Sequence, residues 1–212
     1  MNKHPLFSQK CWSFTLPRHE EYKRLINQVL LVDQNDPNFR ISTGHTSKKL
    51  EGSEQTNVYA WRSDWHSHLH FPILEKLCEE LKSYLAEIIK EEKVQDTSEI
   101  EVVDCWINKY KKNDFAVPHR HGNDEWVSVY FMKIPKDSKS IFRVHNPLGH
   151  TYKSGLTENF ATLDINATEG SIIIMSGAMR HEVTPNMSEK ERVTIAMNFR
   201  MFNKFPFRTK EK

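Results

Sequence analysis

GSIIIMSGAMRH, residues 170–181, is the stretch that most clearly indicates the fold. Its uninterrupted apolar run at 172–175 is typical of a β-strand buried on both faces, and Gly170 and Gly177 bracket that strand with turn signals. A histidine, His181, follows shortly after the strand. The segment therefore predicts a β-rich core that presents a polar side chain near a strand end.

Further short runs of β-forming residues alternate with turns through the second part of the chain. These runs cover residues 100–110, 127–134, 140–144, 170–175 and 193–201. Several short strands separated by turns favour a sandwich or a barrel. We therefore expect a mainly β architecture in this part of the chain.

The first part of the chain is predicted to be mostly helical. Apolar residues recur every three or four positions in 19–32 and in 72–92, which is the pattern of an amphipathic helix. A short aromatic strand is predicted at 6–16, and a polar, turn-rich loop is predicted at 33–53.

Length and composition indicate a soluble globular protein. The chain has 212 residues, of which 38% are hydrophobic and 27% charged, with 30 Lys+Arg against 28 Asp+Glu. We expect a single domain over 1–212, in which 1–99 provide helical support and 100–205 form the β core. The near-neutral balance gives no electrostatic basis for general nucleic-acid binding or for attachment to an anionic membrane.

The cysteines and the N-terminus bear on the cellular compartment. Cys11, Cys78 and Cys105 are widely spaced and form no CxxC motif, which favours a reducing compartment over a disulfide framework. Residues 1–10 contain no apolar stretch of signal-peptide length, and no run approaches the length that spans a bilayer. These observations predict a cytoplasmic protein without a membrane partner.

A second histidine-bearing segment, VPHRHG at 117–122, carries the functional hypothesis. His119 and His121 would point to the same side of an extended strand, because side chains alternate along it. With His181 from a distant strand they can form one face of a metal ion, which suits a non-heme iron oxygenase. The chain contains 11 histidines, so the pair alone is weak evidence for a metal site.

Arg192 strengthens the metal hypothesis. It lies at the start of an otherwise apolar strand, and an arginine on an inward face is costly to bury unless an anion pairs with it. A dicarboxylate cosubstrate would pair with the guanidinium through a bidentate fork. The alternative is a surface arginine, or a structural ion pair with Glu182 or Glu191.

The identity of the third metal ligand is open at this point. The common iron site combines two histidines with one carboxylate, and His121 occupies the place of that carboxylate. Asp124 and Glu125 follow closely and can supply a carboxylate if the turn at 122–123 folds back. Spacing does not choose between a face of three histidines and a face of two histidines and a carboxylate.

The motifs around these residues resemble those of a 2-oxoglutarate/Fe(II) oxygenase family known mainly from bacteria and phages. The resemblance covers most of the chain and is carried by Trp106-Ile107-Asn108, Asp114-Phe115, Pro118-His119-Arg120-His121, Val127-Ser128-Val129-Tyr130, His181, Pro185-Asn186, Arg192 and Asn198-Phe199, with Asn57, Trp61 and Ser63 upstream. Two features depart from the family pattern. A glycine is missing from the Ser-Gly-Val-Tyr strand, and Met175-Ser176-Gly177 replaces the aromatic–proline pair before the distal histidine.

The resemblance implies both a fold and an iron site. The implied fold is α+β, mainly β, with a double-stranded β-helix (jelly-roll) core and flanking N-terminal helices. Fe(II) would be bound by His119 and His181, with His121 at the position usually held by the carboxylate. These three histidines are therefore the candidate catalytic and metal-binding residues, with Asp124 as the alternative carboxylate ligand.

The resemblance also implies a cosubstrate. 2-Oxoglutarate would chelate the iron and place its distal carboxylate on Arg192, while Tyr110, Asn108 and Asn198 are further candidate cofactor-binding residues. The implied activity is a hydroxylation coupled to oxidative decarboxylation of 2-oxoglutarate, with dioxygen and a small-molecule or peptide substrate as partners.

Two rival functions share the same predicted architecture. One is a cupin-like three-histidine metalloenzyme that uses no 2-oxoglutarate, and the other is a non-catalytic jelly-roll binding module. The alternating residues His66, His68 and His70 are a candidate second metal site, although a polar loop before the second helix is the more ordinary interpretation. The sequence is also compatible with a homo-oligomer.

Overall fold

The computed structural model describes residues 10–35, 57–92, 99–121, 126–146 and 162–202. Its helices are α1 His19–Asn35 and α2 Pro72–Glu91, and a 3₁₀ turn spans Ser67–Leu69. Its strands are β1 Cys11–Thr15, β2 Val58–Tyr59, β3 Trp61–Arg62, β4 Glu99–Tyr110, β5 Phe115–His119, β6 Trp126–Lys133, β7 Phe142–His145, β8 Thr162–Ile165, β9 Ser171–Ser176, β10 His181–Val183 and β11 Arg192–Phe202.

The strands form two antiparallel sheets. The major sheet has the order β1-β9-β6-β11-β4-β3, and the minor sheet has the order β2-β5-β10-β7-β8. Apolar residues from the inner faces of both sheets, such as Val129 and Phe131 of the major sheet and Phe142 and Val144 of the minor one, form a single buried cluster. Two facing sheets of this kind make up the double-stranded β-helix, so the predicted fold class is confirmed.

The helices cover the outer face of the major sheet. In α2, Leu74, Leu77, Leu81 and Leu85 recur at three- and four-residue spacing and are fully buried, which stabilises the fold by roughly 2 kcal/mol for each side chain. Pro72 suits the first helical turn, because it has no N–H group to leave unbonded there. None of the described helices combines the length and the apolar character that crossing a bilayer requires.

The strand β9 shows why the apolar run at 172–175 indicated the core. Ile172 and Ile174 belong to the cluster under the helices, whereas Ile173 and Met175 belong to the cluster between the sheets. Because side chains alternate along a strand, burial on both faces requires an uninterrupted apolar sequence.

The predicted element bounds agree with the structure to within two residues for the five β runs and for α2. Helix α1 extends to Asn35, so the loop predicted at 33–53 was wrong at its start, and the remainder of that loop lies outside the described residues. Of the strand predicted at 6–16, residues 11–15 are in β1, and 6–9 lie outside the described residues. The part before residue 99 also supplies β1, β2 and β3 to the sheets.

Candidate metal centre

Three histidines meet between the ends of two adjacent strands of the minor sheet. His119 ends β5 and His181 begins β10, and the two residues are direct partners in the antiparallel register. His121 follows β5, and its backbone N–H donates to the carbonyl of Gly177 at 3.0 Å, which ties it to the turn after β9. The ring centroids of the three imidazoles lie between 4.4 and 5.3 Å apart.

One nitrogen from each imidazole can face a common point. The candidate ligand atoms of His119, His121 and His181 all lie within 4.8 Å of one another. Among the residues described by the structure, this is the one cluster of potential ligands that could hold a metal ion. The structure therefore brings together all three histidines that the sequence singled out.

Each imidazole is fixed by a hydrogen bond from its Nδ1 atom. The Nδ1 of His119 lies 2.7 Å from the Val117 carbonyl oxygen, and the Nδ1 of His181 lies 3.0 Å from the Met179 carbonyl oxygen. A carbonyl oxygen only accepts, so both Nδ1 atoms carry the proton. The Nε2 lone pair of each ring is consequently free to bind a metal.

The imidazole of His121 is fixed by a series of hydrogen bonds between side chains. The Nδ1 of His121 lies 2.7 Å from the Oδ1 of Asn198, whose Nδ2 donates to the Asp104 carboxylate at 2.9 Å. Because the carboxylate accepts, it determines that the Asn198 oxygen faces His121, and His121 must then donate from Nδ1. Its Nε2 is therefore free as well.

The environment keeps the three rings neutral. Burial lowers the pKa of His121 to about 4, with repulsion from His119 as the next cause. Burial is also the main cause that lowers the pKa of His119 and of His181. Neutral imidazole is the form that binds a metal, so at neutral pH no proton has to be removed from these rings first.

Arg192 lies on the inner face of the major sheet and is buried, with a relative exposure of 1%. Its guanidinium carbon lies 5.1 Å from the ring centroid of Tyr110 and 5.4 Å from that of Phe131, and the Tyr110 hydroxyl is in hydrogen-bonding contact with it. Its Nε and Nη1 atoms are buried without a hydrogen-bond partner. Among the described residues, neither Glu182 nor Glu191 forms an ion pair with Arg192.

The remaining cofactor candidates lie on β4 and β11. Tyr110 and Asn108 pair with Arg192 and Thr194 across the two strands, and the Oδ1 of Asn108 is buried without a partner. Asn198 lies against His121 rather than beside Arg192. Asp124, the alternative carboxylate, lies outside the described residues.

The candidate second metal site at 66–70 does not form on a strand. Residues 67–69 are a 3₁₀ turn, and the rings of His66 and His68 lie 6.3 Å apart. Sequence reasoning gave no role in the site to two residues near the histidines, Asp104 and Trp106, although it named Trp106 within a motif. The ring of Trp106 stacks on that of His121 with the ring centroids 5.8 Å apart, and Asp104 accepts from Asn198. The alternation of β4 could have revealed both, since they share a face with Asn108 and Tyr110.

Comparisons with known proteins agree with this geometry. A family described as "Putative 2OG-Fe(II) oxygenase" matches residues 104–198, the segment that contains the three histidines and Arg192. No curated protein matches the chain in sequence.

Solved structures share the fold at low identity. A prolyl-4-hydroxylase from Pseudomonas putida is 12% identical, covers 91% of this chain and 93% of its own, and has a TM-score of 0.63. A Trichoplax adhaerens prolyl hydroxylase in complex with a hypoxia-inducible-factor peptide fragment is 9% identical, with coverages of 89% and 82% and a TM-score of 0.62. HygX from Streptomyces hygroscopicus, with nickel and 2-oxoglutarate bound, is 12% identical, with coverages of 93% and 84% and a TM-score of 0.59.

The family match agrees with the fold and with the histidine cluster. Residues 104–198, the segment that carries the site, match the model of the 2-oxoglutarate/Fe(II) oxygenase family, which confirms the resemblance drawn from the motifs. The name of that family gives Fe(II) and 2-oxoglutarate as its cofactors, and the histidine cluster of this chain is a donor set that can hold a metal ion.

Proposed function

We propose that this protein is a hydroxylase that binds Fe(II) through His119, His121 and His181 and binds 2-oxoglutarate through Arg192. The bound iron and cosubstrate supply the oxidation: substrate, dioxygen and 2-oxoglutarate give hydroxylated substrate, succinate and carbon dioxide. The observation that carries the proposal is the common tautomer of the three imidazoles, each with Nδ1 bonded to an oxygen and Nε2 free.

A face of three histidines has a distinct electrostatic character. With three neutral imidazoles, the charges of Fe(II), Arg192 and 2-oxoglutarate would leave a net positive site, whereas a carboxylate ligand would make the site neutral. Asp104 contributes its charge to the site indirectly, through Asn198. If His121 is the third ligand, His121→Ala lowers the affinity for Fe(II) strongly and Asp124→Ala does not; the reverse result would assign the ligand to Asp124.

Arg192 is the residue that best fits the distal carboxylate of 2-oxoglutarate. A buried guanidinium with two unpaired N–H groups is costly, and the aromatic rings of Tyr110 and Phe131 offset only part of that cost. A carboxylate would accept from both unpaired groups and neutralise the charge. The cupin-like alternative offers no anion for this arginine, and a binding module has no need for three oriented, neutral imidazoles.

The protein's own groups would hold and orient the reactants. The carbonyls of residues 117 and 179 and the amide of Asn198 prevent the imidazoles from rotating. Phe142, a member of the apolar cluster between the sheets, stacks on His181 with ring centroids 5.2 Å apart and would limit the access of water on that side. Exclusion of water strengthens the electrostatic contacts with the cosubstrate and protects reactive species.

The substrate and the cellular location are part of the proposal. A peptide substrate is one candidate, since the Trichoplax relative was solved with a peptide fragment, and a small molecule is the other. Unpaired Cys11, Cys78 and Cys105 support a cytoplasmic location.

Isotope labelling distinguishes hydroxylation from other oxidations by this class. A library of small molecules and peptides would be screened for stimulated formation of succinate, and each hit would be repeated under ¹⁸O₂. A hydroxylase places one labelled oxygen in the product and one in succinate. A product that is oxidised without labelled oxygen would contradict the hydroxylase proposal but leave the cofactor assignment intact.

A further inference from the structure

A second arginine faces the inner side of the major sheet. Arg62 in β3 is the direct register partner of Asn108 in β4. Partners in an antiparallel pair project to the same face, so Arg62 lies on the face that also carries Asn108, Trp106 and Tyr110. This arginine takes no part in the proposed binding of iron or 2-oxoglutarate.

Aromatic rings connect Arg62 with the histidine cluster. Its guanidinium carbon lies 3.8 Å from the ring centroid of Trp65. The rings of Trp65 and Trp106 meet edge to face at 4.6 Å, and Trp106 stacks on His121 at 5.8 Å. The arginine therefore stands at one end of a continuous wall whose other end is a proposed metal ligand.

The charge of Arg62 is not neutralised within the part of the chain that the structure describes. No described carboxylate lies within ion-pair distance of it. Burial is the main cause that lowers the pKa of Arg62, since the side chain is half-buried. Tyr110 and, more weakly, Asp104 favour the charged form of Arg62 and raise its pKa, but Asp104 already accepts from Asn198 and lies 3.6 Å from His66.

Two buried polar atoms lie beside this arginine without partners. They are the Nε1 of Trp106, a donor, and the Oδ1 of Asn108, an acceptor, and both residues have a relative exposure of 4%. Buried polar groups are almost always hydrogen-bonded in folded proteins, so each of these atoms is available to a ligand or a water molecule. The wall thus combines a cation, a donor, an acceptor and ring faces.

We propose that Arg62, Trp65 and Trp106 form a substrate subsite that recognises the carboxylate of a small, ring-bearing acid. Arg62 holds the carboxylate and Trp65 and Trp106 contact the ring, while Arg192 remains reserved for the cosubstrate. Since Trp65 occupies one face of the guanidinium, the N–H groups along its edge remain for a planar carboxylate. This inference rests on the proposed function and narrows its substrate class.

The test uses 3-phenylpropionate as the acid probe and 3-phenylpropanamide as its neutral counterpart. Each is titrated by calorimetry, without oxygen, into the protein saturated with Fe(II) and 2-oxoglutarate. Saturation with 2-oxoglutarate keeps the acid away from Arg192. The acid should bind the wild type at least about tenfold more tightly than the amide, and Arg62→Gln should abolish that preference.

Two controls separate this subsite from the proposed site for iron and 2-oxoglutarate. Arg24→Gln removes an exposed arginine from α1 and should leave the preference for the acid unchanged. Arg62→Gln should retain the metal-to-ligand charge-transfer band that the iron–2-oxoglutarate complex gives in visible absorption. If the wild type itself forms no such band, the proposed function fails rather than the subsite. Failure of the wild type to bind the acid, equal binding of acid and amide, or an unchanged preference in Arg62→Gln would overturn the subsite.

Discussion

The two faces of the strand β4 differ in whether their buried polar atoms have hydrogen-bond partners. On the outer face Cys105 and Ile107 are fully buried in the apolar cluster beneath the helices. On the inner face Trp106 and Asn108 are equally inaccessible, yet each has a buried polar atom without a hydrogen-bond partner. The same strand therefore stabilises the fold with one set of side chains and leaves polar atoms of the other set without hydrogen-bond partners.

The strand β11 repeats this difference. Its outer residues Ile195 and Met197 are buried with the helices, while its inner residues include Arg192 and Asn198. An unpaired buried charge such as that of Arg192 lowers stability, and an anionic ligand would offset this cost. Substitutions on the two faces should consequently separate stability from binding.

The largest effect is expected at the histidines. His181→Ala should abolish stoichiometric binding of Fe(II), because it removes one of three ligands, while the metal-free protein remains folded. Equilibrium dialysis of Fe(II) without oxygen measures the binding, and circular dichroism monitors the fold. Stoichiometric iron in this variant would show that His181 is not a ligand.

The next effect is expected at Arg192. Arg192→Met should lower the affinity for 2-oxoglutarate by about two to three orders of magnitude, since a charged and hydrogen-bonded partner is lost. It should also raise the free energy of unfolding of the metal-free protein by about 1 kcal/mol or more, since an unpaired charge is replaced by an apolar side chain. Calorimetry and urea denaturation measure the two quantities, and a variant that is both weaker in binding and less stable would argue for a structural arginine.

The matched outer-face substitution should give the opposite result. Ile195→Ala removes a fully buried side chain three residues from Arg192 and should cost about 2–5 kcal/mol of stability. Its affinity for 2-oxoglutarate should stay near that of the wild type at a temperature where it is folded. A large loss of affinity in the folded variant would show that the two faces are not independent.

A smaller effect on metal affinity is expected from inner-face residues that orient a metal-binding histidine but do not themselves contact the metal. Asn198→Ala removes the acceptor that fixes His121 and should weaken metal binding by about 10- to 100-fold. Asp104→Asn should produce part of that loss, because it removes the charge that orients Asn198. Competition with a metal-binding dye measures both variants, and unchanged affinity would mean that His121 needs no such support.

The smallest effect is expected on the surface. Lys112→Ala removes an ion pair with Glu189, and both side chains are largely exposed. Such pairs contribute about 0–1 kcal/mol, so urea denaturation should barely change and cofactor binding should not change at all. A loss of stability above this range would indicate that the turn after β4 contributes more to stability than an exposed ion pair does.

The sequence allowed the inner face to be predicted only where its residues were chemically unusual. His119, His121, His181 and Arg192 stood out because imidazole and guanidinium groups are conspicuous near apolar strands. Trp106 and Arg62 did not, since their importance depends on which strands pair and on the register of β3 with β4. Register is a tertiary property that a local pattern does not encode.

The same limit applies to the fold. The long strands and α2 were predicted because their apolar periodicity is strong. By contrast, β2, β3 and β8 were not predicted, and β5 and β10 were expected only as strands that carry the histidines. These strands have between two and five residues and form because neighbouring strands supply their hydrogen bonds. The link from His121 to Asp104 through Asn198 was hidden for a similar reason, since it joins residues of different strands.

The most direct test of the account is an anaerobic titration of the metal-free protein with Fe(II) and 2-oxoglutarate, followed by visible absorption. We predict a metal-to-ligand charge-transfer band that appears only when both are present and is retained in Ile195→Ala. At a 2-oxoglutarate concentration that just saturates the wild type, the band should be absent in Arg192→Met and in His181→Ala. Iron binding without a band in the wild type would contradict the assignment of Arg192 to the cosubstrate, and absence of iron binding would contradict the metal centre itself.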